Sequence, residues 1–268
     1  MTRATGETPF RTSLSNEAAA EADPRPAVTI VVPAFNEAAA LPSTLVTLLE
    51  EFPGYEILLV NDGSLDATTT VVEALAARFG RERLAYTEYR PNRGKGYAVR
   101  VGMLSGRGDI LVFTDADLPF GVDGVRLIVR RLQGDPSLDI AIAAKTRVTR
   151  SATYRAARVA ARALIAMLTG LRYPDTQAGL KGFRRTAARE VFARAATDRF
   201  AADVEMLYLA EKLGLRVASI PMAVTNEYER PSSFSLRQGF RVLRDVFRMR
   251  FRDYGLNPGM LSHDDGLP

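Results

Sequence analysis

"ILVFTDADLPF", Ile110 to Phe120, is an apolar run that ends abruptly in two carboxylates one residue apart, Asp115 and Asp117, with Pro119 close behind. A short β-branched and aromatic run of this kind suits a strand covered on both faces, as in a parallel sheet. The two acids have two readings. In one, Asp117 caps a following helix and Asp115 is an exposed loop acid. In the other, both converge at the turn on a hard divalent cation, Mg2+ or Mn2+, which takes oxygen ligands and shares them with substrate phosphates. Alternate residues of an extended strand point to opposite faces, so convergence requires the turn.

The neighbouring segments decide the architecture. "AVTIVVPAF" (27–35) is a second buried strand, and "NEAAALPSTLVTLLEEF" (36–52) places Leu41, Leu45, Leu48 and Leu49 at helical spacing. "YEILLVNDGS" (55–64) is a strand, and "LDATTTVVEALAARFG" (65–80) a helix closed by Gly80. "RLAYTEYRP" (83–91) is a further strand, and "GKGYAVRVGMLSGRG" (94–108) a helix opened by glycines. Strands and helices that alternate in this way predict an α/β fold: one domain with a mostly parallel central sheet flanked by helices. Ligands of such sheets bind at the carboxyl ends of the strands. The polar motifs "PAFNE", "NDGSLD", "RPNRGKG" and "TDADLP" all fall at those ends.

Further on, "LDIAIAAKTR" (138–147) reads as a strand and "SATYRAARVAARALIAMLTGL" (151–171) as a long helix with Arg155, Arg158 and Arg162 on one face. "DTQAGLKGFRR" (175–185) is a loop entering a strand, and "DVEMLYLAEKLG" (203–214) is a helix. "RVASIPMAVTNEY" (216–228) reads as an edge strand interrupted by Pro221. The last helix, "SFSLRQGFRVLRDVFRMRFRDYG" (233–255), sets Arg241, Arg244, Arg248 and Arg252 against Leu243, Phe247 and Phe251. Basic residues beside bulky apolar ones suit either an anionic membrane surface or a terminal helix packed on the domain with its arginines solvated.

Composition removes several chemistries. Of the 268 residues none is cysteine, so disulfides and thiolate metal sites are excluded, and the single histidine, His263 near the C-terminus, argues against a serine–histidine triad or a multi-histidine zinc site. "ALIAMLTGL" (163–171) is far shorter than the roughly 20 residues of a membrane span. Residues 1–26 lack the apolar core of a signal peptide and read as a disordered lead-in, which points to a cytoplasmic protein. The net charge of +5 permits nucleic acid, an anionic membrane surface or a phosphorylated substrate as partner.

Among the strand-end residues, Asp62 is placed to accept from a base N–H or a ribose hydroxyl, and Asp66 to cap a helix. Glu37 either contacts the same nucleoside or complements a helix dipole. Arg93 and Lys95 sit in a glycine-containing loop before a helix, a phosphate-cradling arrangement. The loop lacks G-x-x-x-x-G-K-[ST], and the first crossover lacks G-x-G-x-x-G, so neither a P-loop nor a dinucleotide fold is indicated.

Taken in order and spacing, "VVPAFNE", "LLVNDGSLD", "NRGKGYAVRVGML", "FTDADL" and "DTQAGLKGFRR" resemble the family 2 glycosyltransferases of GT-A (Rossmann-like) fold. The nearest subgroup is the polyprenyl-phosphate (dolichyl-phosphate) glucosyl- and mannosyltransferases. The resemblance covers roughly Ala27 to Tyr228. It implies a nucleotide diphosphate sugar as donor, UDP-glucose or GDP-mannose, a divalent metal, inversion at the anomeric carbon and a polyprenyl phosphate acceptor, with no nucleic acid partner. Pro33, Ala34, Glu37 and Asp62 match the nucleoside positions, and Asp115, Ala116 and Asp117 the metal and diphosphate motif. Asp175, Gln177 and Lys181 match the segment lining the sugar and acceptor side. Lys145 or Arg147 falls near an arginine of the family, although "AAKTR" departs from its motif. Asp203 and Glu205 occupy the segment where many members carry an acidic motif.

Asp117, Asp203, Gln177 and Lys181 are thus expected to carry the chemistry, and Asp115 and Asp117 to hold the metal, with His263 a further candidate ligand. Some mannosyl members read "DADLQ" where this chain has Pro119, so the metal shell is expected to differ there. An anionic lipid phosphate needs no general base, whereas a hydroxyl acceptor would need one and Asp203 is the candidate. Many members end in transmembrane helices; here a peripheral contact at the inner face of the cell membrane is expected instead. The alternatives are the same donor chemistry onto a soluble hydroxyl acceptor, a nucleotidyltransferase, or an inactive nucleotide-sugar-binding module. The expected organisation is a lead-in (1–26), a GT-A domain (27–230) and a C-terminal amphipathic helix with its tail (231–268).

Overall fold

Five consecutive β-branched residues, Val28 to Val32, stiffen the chain into a strand that is buried along its whole length. The computed structural model describes residues 11–12, 25–146, 159, 163–173, 175–199, 201–224 and 244–256. Its strands are β1 (Arg11–Thr12), β2 (Val28–Ala34), β3 (Glu56–Asn61), β4 (Leu84–Glu88), β5 (Ile110–Thr114), β6 (Ile140–Lys145), β7 (Leu180–Arg184) and β8 (Val217–Met222). They form one sheet in the order β1-β4-β3-β2-β5-β7-β6-β8. The helices are α1 (Leu41–Glu51), α2 (Thr68–Phe79), α3 (Lys95–Ser105), α4 (Gly121–Gly134), α5 (Arg185–Arg194) and α6 (Ala202–Lys212).

The sheet is mostly parallel, as expected: β2 pairs in parallel with β3 and β5, β3 with β4, and β6 with β8. β7 runs against both β5 and β6, and β1 against β4. The chain steps outward from β2 to β3 to β4, then returns to place β5 on the other side of β2. That reversal is a topological switch point, and it opens a crevice outside the carboxyl ends of β2 and β5.

Alternation along the strands divides the core into two layers. Ile30, Val32 and Leu59 face Leu45, Leu48, Val72, Val125 and Ile128, from α1, α2 and α4. Val31, Leu58 and Phe113 face Val99, Met103, Val191, Phe192, Val204 and Leu207, from α3, α5 and α6.

Several local expectations change. α1 starts at Leu41 rather than Asn36, because residues 35–40 are held in a loop described below. α4 and α5 are helices that the sequence reading passed over. Two glycines and an aspartate in the first turn disguise α4, although Val125, Ile128, Val129 and Leu132 keep helical spacing and are buried. Pro221 does not interrupt β8: the register continues through Ala144↔Pro221 to Lys145↔Met222, on an edge strand where its missing N–H leaves no partner unmet. Arg11 and Thr12 lie within the expected lead-in, yet they pair with Glu88 and Thr87. Residues 163–169 and 244–250 are helical, whereas Arg155, Arg158, Arg162, Arg241 and Leu243 lie outside the described residues.

Candidate active site

The crevice at the switch point encloses about 280 Å3 and is lined by Pro33, Ala34, Phe35, Glu37, Asp62, Lys95, Ala98, Asp115, Ala116 and Asp117. Residues from the ends of β2, β3 and β5 and from the start of α3 therefore meet in one cleft.

The loop after β2 is fastened to the loop after β3. Asn36, with φ of 55°, donates its backbone N–H to Ser64 Oγ at 2.9 Å, and its Oδ1 accepts from Leu65 N at 2.8 Å. Glu37 N donates to Thr68 Oγ1 at 3.1 Å. The N-cap of α2 is Ala67 rather than Asp66, and Asp66, just before it, fastens the turn: Oδ1 accepts from Thr68 N at 3.0 Å, and Oδ2 from Ala38 N at 3.1 Å. Partial desolvation raises the Asp66 pKa, but the hydrogen bonds from Thr68 and Ala38 outweigh it and hold the carboxyl below its ordinary value of 3.8.

Asp62 is buried, and its carboxylate is largely committed within the protein. Oδ1 accepts from Arg93 N at 2.8 Å, and Oδ2 from Asn92 Nδ2 and Gly94 N, each at 2.8 Å. These bonds occupy three of roughly four acceptor positions. Asp62 therefore acts first as a clamp on the 92–94 loop. Gly94, with φ of 108°, turns that loop where a Cβ would lie 2.8 Å from the Asp198 carbonyl oxygen. Beyond the turn the two cations diverge. Lys95 enters the cleft and pairs with Asp115. Arg93 turns away, stacks on Tyr97 at 3.6 Å and pairs with Asp198 at 3.0 Å.

The "DAD" turn is held from three directions. Asp115 N donates to Gly179 O at 3.2 Å, Thr44 Oγ1 to Ala116 O at 2.6 Å, and Leu118 N to Asp115 O at 3.0 Å. Gly179 makes room for the carboxylate, since a Cβ there would lie 2.0 Å from Asp115 Oδ2. Asp117 does not cap α4, whose N-cap is Phe120. Loss of water lowers the Lys95 pKa, but Asp115, Asp203 and Asp117 outweigh that effect and raise it, so its ammonium stays charged. Asp203 therefore belongs to the electrostatics of this cleft although it comes from α6.

Lys181 does not reach the cleft. It is fully buried, with Nζ donating to Asp203 Oδ1 and to Ala178 O, both at 2.6 Å, and lying 5.2 Å from the Phe113 ring centre. It is not among the residues that line the cleft, and its ammonium is engaged with Asp203 instead. Asp203 and Glu205, two residues apart on α6, face different surroundings. Glu205 is fully buried and accepts from Ala196 N at 2.9 Å, Thr197 N at 2.7 Å and Tyr254 Oη at 2.8 Å. It is a structural anchor.

Asp175 is buried and accepts from Gln177 N at 3.2 Å, leaving the Gln177 side chain on the exposed turn. Lys145 is exposed at the end of β6 and is not part of the cleft wall. Arg147 and His263 lie outside the described residues. Among the described residues no group of three or more His, Cys, Asp or Glu side chains is arranged to hold a metal ion. The donor set is the Asp115 and Asp117 pair, hard oxygens of the kind that Mg2+ shares with substrate phosphates. Thr44 and Gly179 escaped the sequence reading. Thr44 carries no local signal, whereas Gly179 sits within a quoted motif.

Comparison with known proteins gives a consistent result. The family described as Glycosyl transferase family 2 matches residues 29–192. Dolichyl-phosphate beta-glucosyltransferase of Drosophila melanogaster is 36% identical over 225 residues, covering 76% of this chain and 69% of the relative. The Homo sapiens protein of the same name is 32% identical over 251 residues, covering 85% and 76%. Among solved structures, glucosyl-3-phosphoglycerate synthase from Mycobacterium tuberculosis, in complex with Mn2+, UDP-glucose and phosphoglyceric acid, shares the fold. Its TM-score is 0.62 at 20% identity, over 87% of this chain and 81% of that one.

Proposed function

Because the chain belongs to glycosyl transferase family 2, we propose that it moves glucose from UDP-glucose to a polyprenyl phosphate, with inversion at the anomeric carbon. The observation that carries this reading is the cleft at the β2/β5 switch point. It brings Glu37 and Asp62 of the two nucleoside motifs against Lys95 and the Asp115/Asp117 pair. Glucose and the lipid phosphate are taken from the dolichyl-phosphate glucosyltransferases that the chain resembles.

The reaction is one displacement. An acceptor phosphate oxygen attacks C1 of glucose, the bond from C1 to the β-phosphate oxygen breaks, and UDP leaves with the electron pair. A phosphomonoester is already ionised at neutral pH, so no proton has to be removed. The enzyme has to orient the two reactants and stabilise the departing diphosphate. Lys95, kept charged by its acidic neighbours, supplies positive charge beside that leaving group. Asp115 and Asp117 would hold a divalent metal, which neutralises the diphosphate when bound. Lys181 fixes one Asp203 oxygen and so sets how that carboxylate faces the acceptor.

A second reading rests on Asp203, which meets the same charge cluster as Lys95: a hydroxyl acceptor would use it as general base. Asp203→Asn, with its fold checked by circular dichroism because Lys181 loses a charged partner, separates the two by its pH profile. Loss of a base costs about 10²-fold or more and removes the acidic limb of the rate profile, whereas with an anionic acceptor that limb stays.

For the C-terminal helix we propose contact with an anionic membrane surface. Among the described residues no helix is long and apolar enough to cross a membrane. Val246 and Met249 pack into the core, whereas Phe247 and Phe251 are 55% and 71% exposed, their rings 4.9 Å apart. Arg244 lies on the same stripe as the two rings.

The deciding experiment measures nucleoside diphosphate released from UDP-glucose and from GDP-mannose, with and without a short polyprenyl phosphate and with added Mn2+. UDP release that requires the lipid phosphate and disappears in Asp117→Asn is expected. Release from GDP-mannose alone, or turnover indifferent to the lipid phosphate, would overturn the reading.

A further inference from the structure

Beside the donor cleft lies a second cleft of about 430 Å3, between the 92–93 loop, residues 196–199 and the C-terminal helix. Its chemistry is different: four arginines, Arg93, Arg199, Arg248 and Arg252, face two acids, Asp198 and Asp245.

Both acids are already engaged. Asp198 Oδ2 meets Arg93 at 3.0 Å and Oδ1 meets Arg100 at 2.8 Å, while Asp245 pairs with Arg244 at 3.2 Å. Arg252 lies 3.3 Å from Glu205. Arg199 and Arg248 have no carboxylate partner among the described residues. Two guanidiniums thus share a cleft with no anion assigned to them, a donor arrangement suited to bidentate recognition of a phosphate. Helical periodicity explains how they are presented. Asp245 and Arg248 lie on one stripe of the C-terminal helix, apart from Phe247, and Arg252 follows from the turn beyond the helix end, where its N–H donates to Met249 O at 3.2 Å. The opposite wall is stiff, because Glu205 holds the Ala196 and Thr197 amides.

We propose that this cleft is a second anion site, separate from the donor cleft, that takes a phosphomonoester. Its volume exceeds what a bare anion fills, and its wall is polar apart from Ala196, so the group attached to the phosphate is small and polar or stays outside. The phosphate of a soluble metabolite and the headgroup of phosphatidic acid share this chemistry. The inference stands independently of the proposed donor and acceptor. It joins the donor cleft through one loop, since Asp62 holds Asn92 and Arg93 from the other side.

The test uses the full chain with inorganic phosphate, glycerol 3-phosphate, and vesicles of phosphatidylcholine with or without phosphatidic acid. Chloride at matched ionic strength controls for screening. Either soluble phosphate is expected to raise Tm above the chloride control. Calorimetry should show binding weakened at least tenfold in the double variant Arg199→Gln/Arg248→Gln. Binding only to phosphatidic acid vesicles, lost in the same variant, would also support the site and assign the lipid source. UDP binding should be unchanged in the variant, which shows that the fold and donor cleft are intact. Failure of UDP binding in the parent protein would count against the donor reading and not against this one. No phosphate effect beyond chloride, together with vesicle binding that is absent or indifferent to the two substitutions, would overturn the proposal.

Discussion

Lys181 and Asp203 are 22 residues apart in sequence and 2.6 Å apart in space, and one of the two is fully buried. Removing one member of a buried pair strands the other's charge, which costs about 3–5 kcal/mol; partial exposure of Asp203 places Lys181→Met near the lower end. Chemical denaturation should show that loss. The double variant Lys181→Met/Asp203→Leu should be less destabilised than the sum of its singles, because no charge is left unpaired. Gly179 acts through geometry. In Gly179→Ala the new Cβ must displace the Asp115 carboxylate, and a displacement near 1 Å at reacting groups costs about 100-fold. Transfer should fall by about that factor while circular dichroism stays unchanged.

At the scale of elements, the site is made by loops that fasten one another. The turn after β2 rests on Ser64, Asp66 and Thr68, and the loop before α3 rests on Asp62. Asp66 gives this fastening a pH dependence. Its folded pKa lies below the ordinary 3.8, so its contribution is present above that value and is lost as pH falls through the folded value. The Tm difference between the parent protein and Asp66→Ala should therefore be largest near neutrality and should narrow as pH drops below 3.8. A gap constant across that range would refute the assignment. These partners were only half legible in the sequence. "NDGSLD" marks a turn with an acid ahead of a helix, but nothing local says that the Asp66 oxygens reach Ala38 as well as Thr68.

For the whole molecule, the C-terminal helix divides its apolar residues between two tasks. Val246 and Met249 join the core cluster that contains Phe192 and Tyr208, while Phe247 and Phe251 stay in solvent. Phe247→Ser/Phe251→Ser should leave Tm nearly unchanged and reduce cosedimentation with anionic vesicles severalfold. If the membrane reading is wrong, cosedimentation will not respond. The sequence reading grouped Leu243, Phe247 and Phe251 as one apolar face, because a lone helix has no neighbour to show which of its faces is covered.

What the chain determines without its tertiary structure is the order of elements and the position of its polar motifs. Short β-branched runs bounded by turn residues favour buried strands, leucines at helical spacing favour amphipathic helices, and a parallel sheet binds its ligands at the carboxyl ends of its strands. From this alone "PAFNE", "NDGSLD", "RPNRGKG" and "TDADLP" are placed at one crevice, and each contributes a residue to the cleft wall. Tertiary structure decided which charged side chains face that crevice. Arg93 and Lys95 are two residues apart, yet one turns to Asp198 and the other to Asp115. Asp203 and Glu205 separate in the same way, as do Lys181 in the core and Asp115 in the cleft. The direction of a charged side chain is set by the partner that neutralises it and the water it must lose, and those partners lie on other elements that local sequence does not specify.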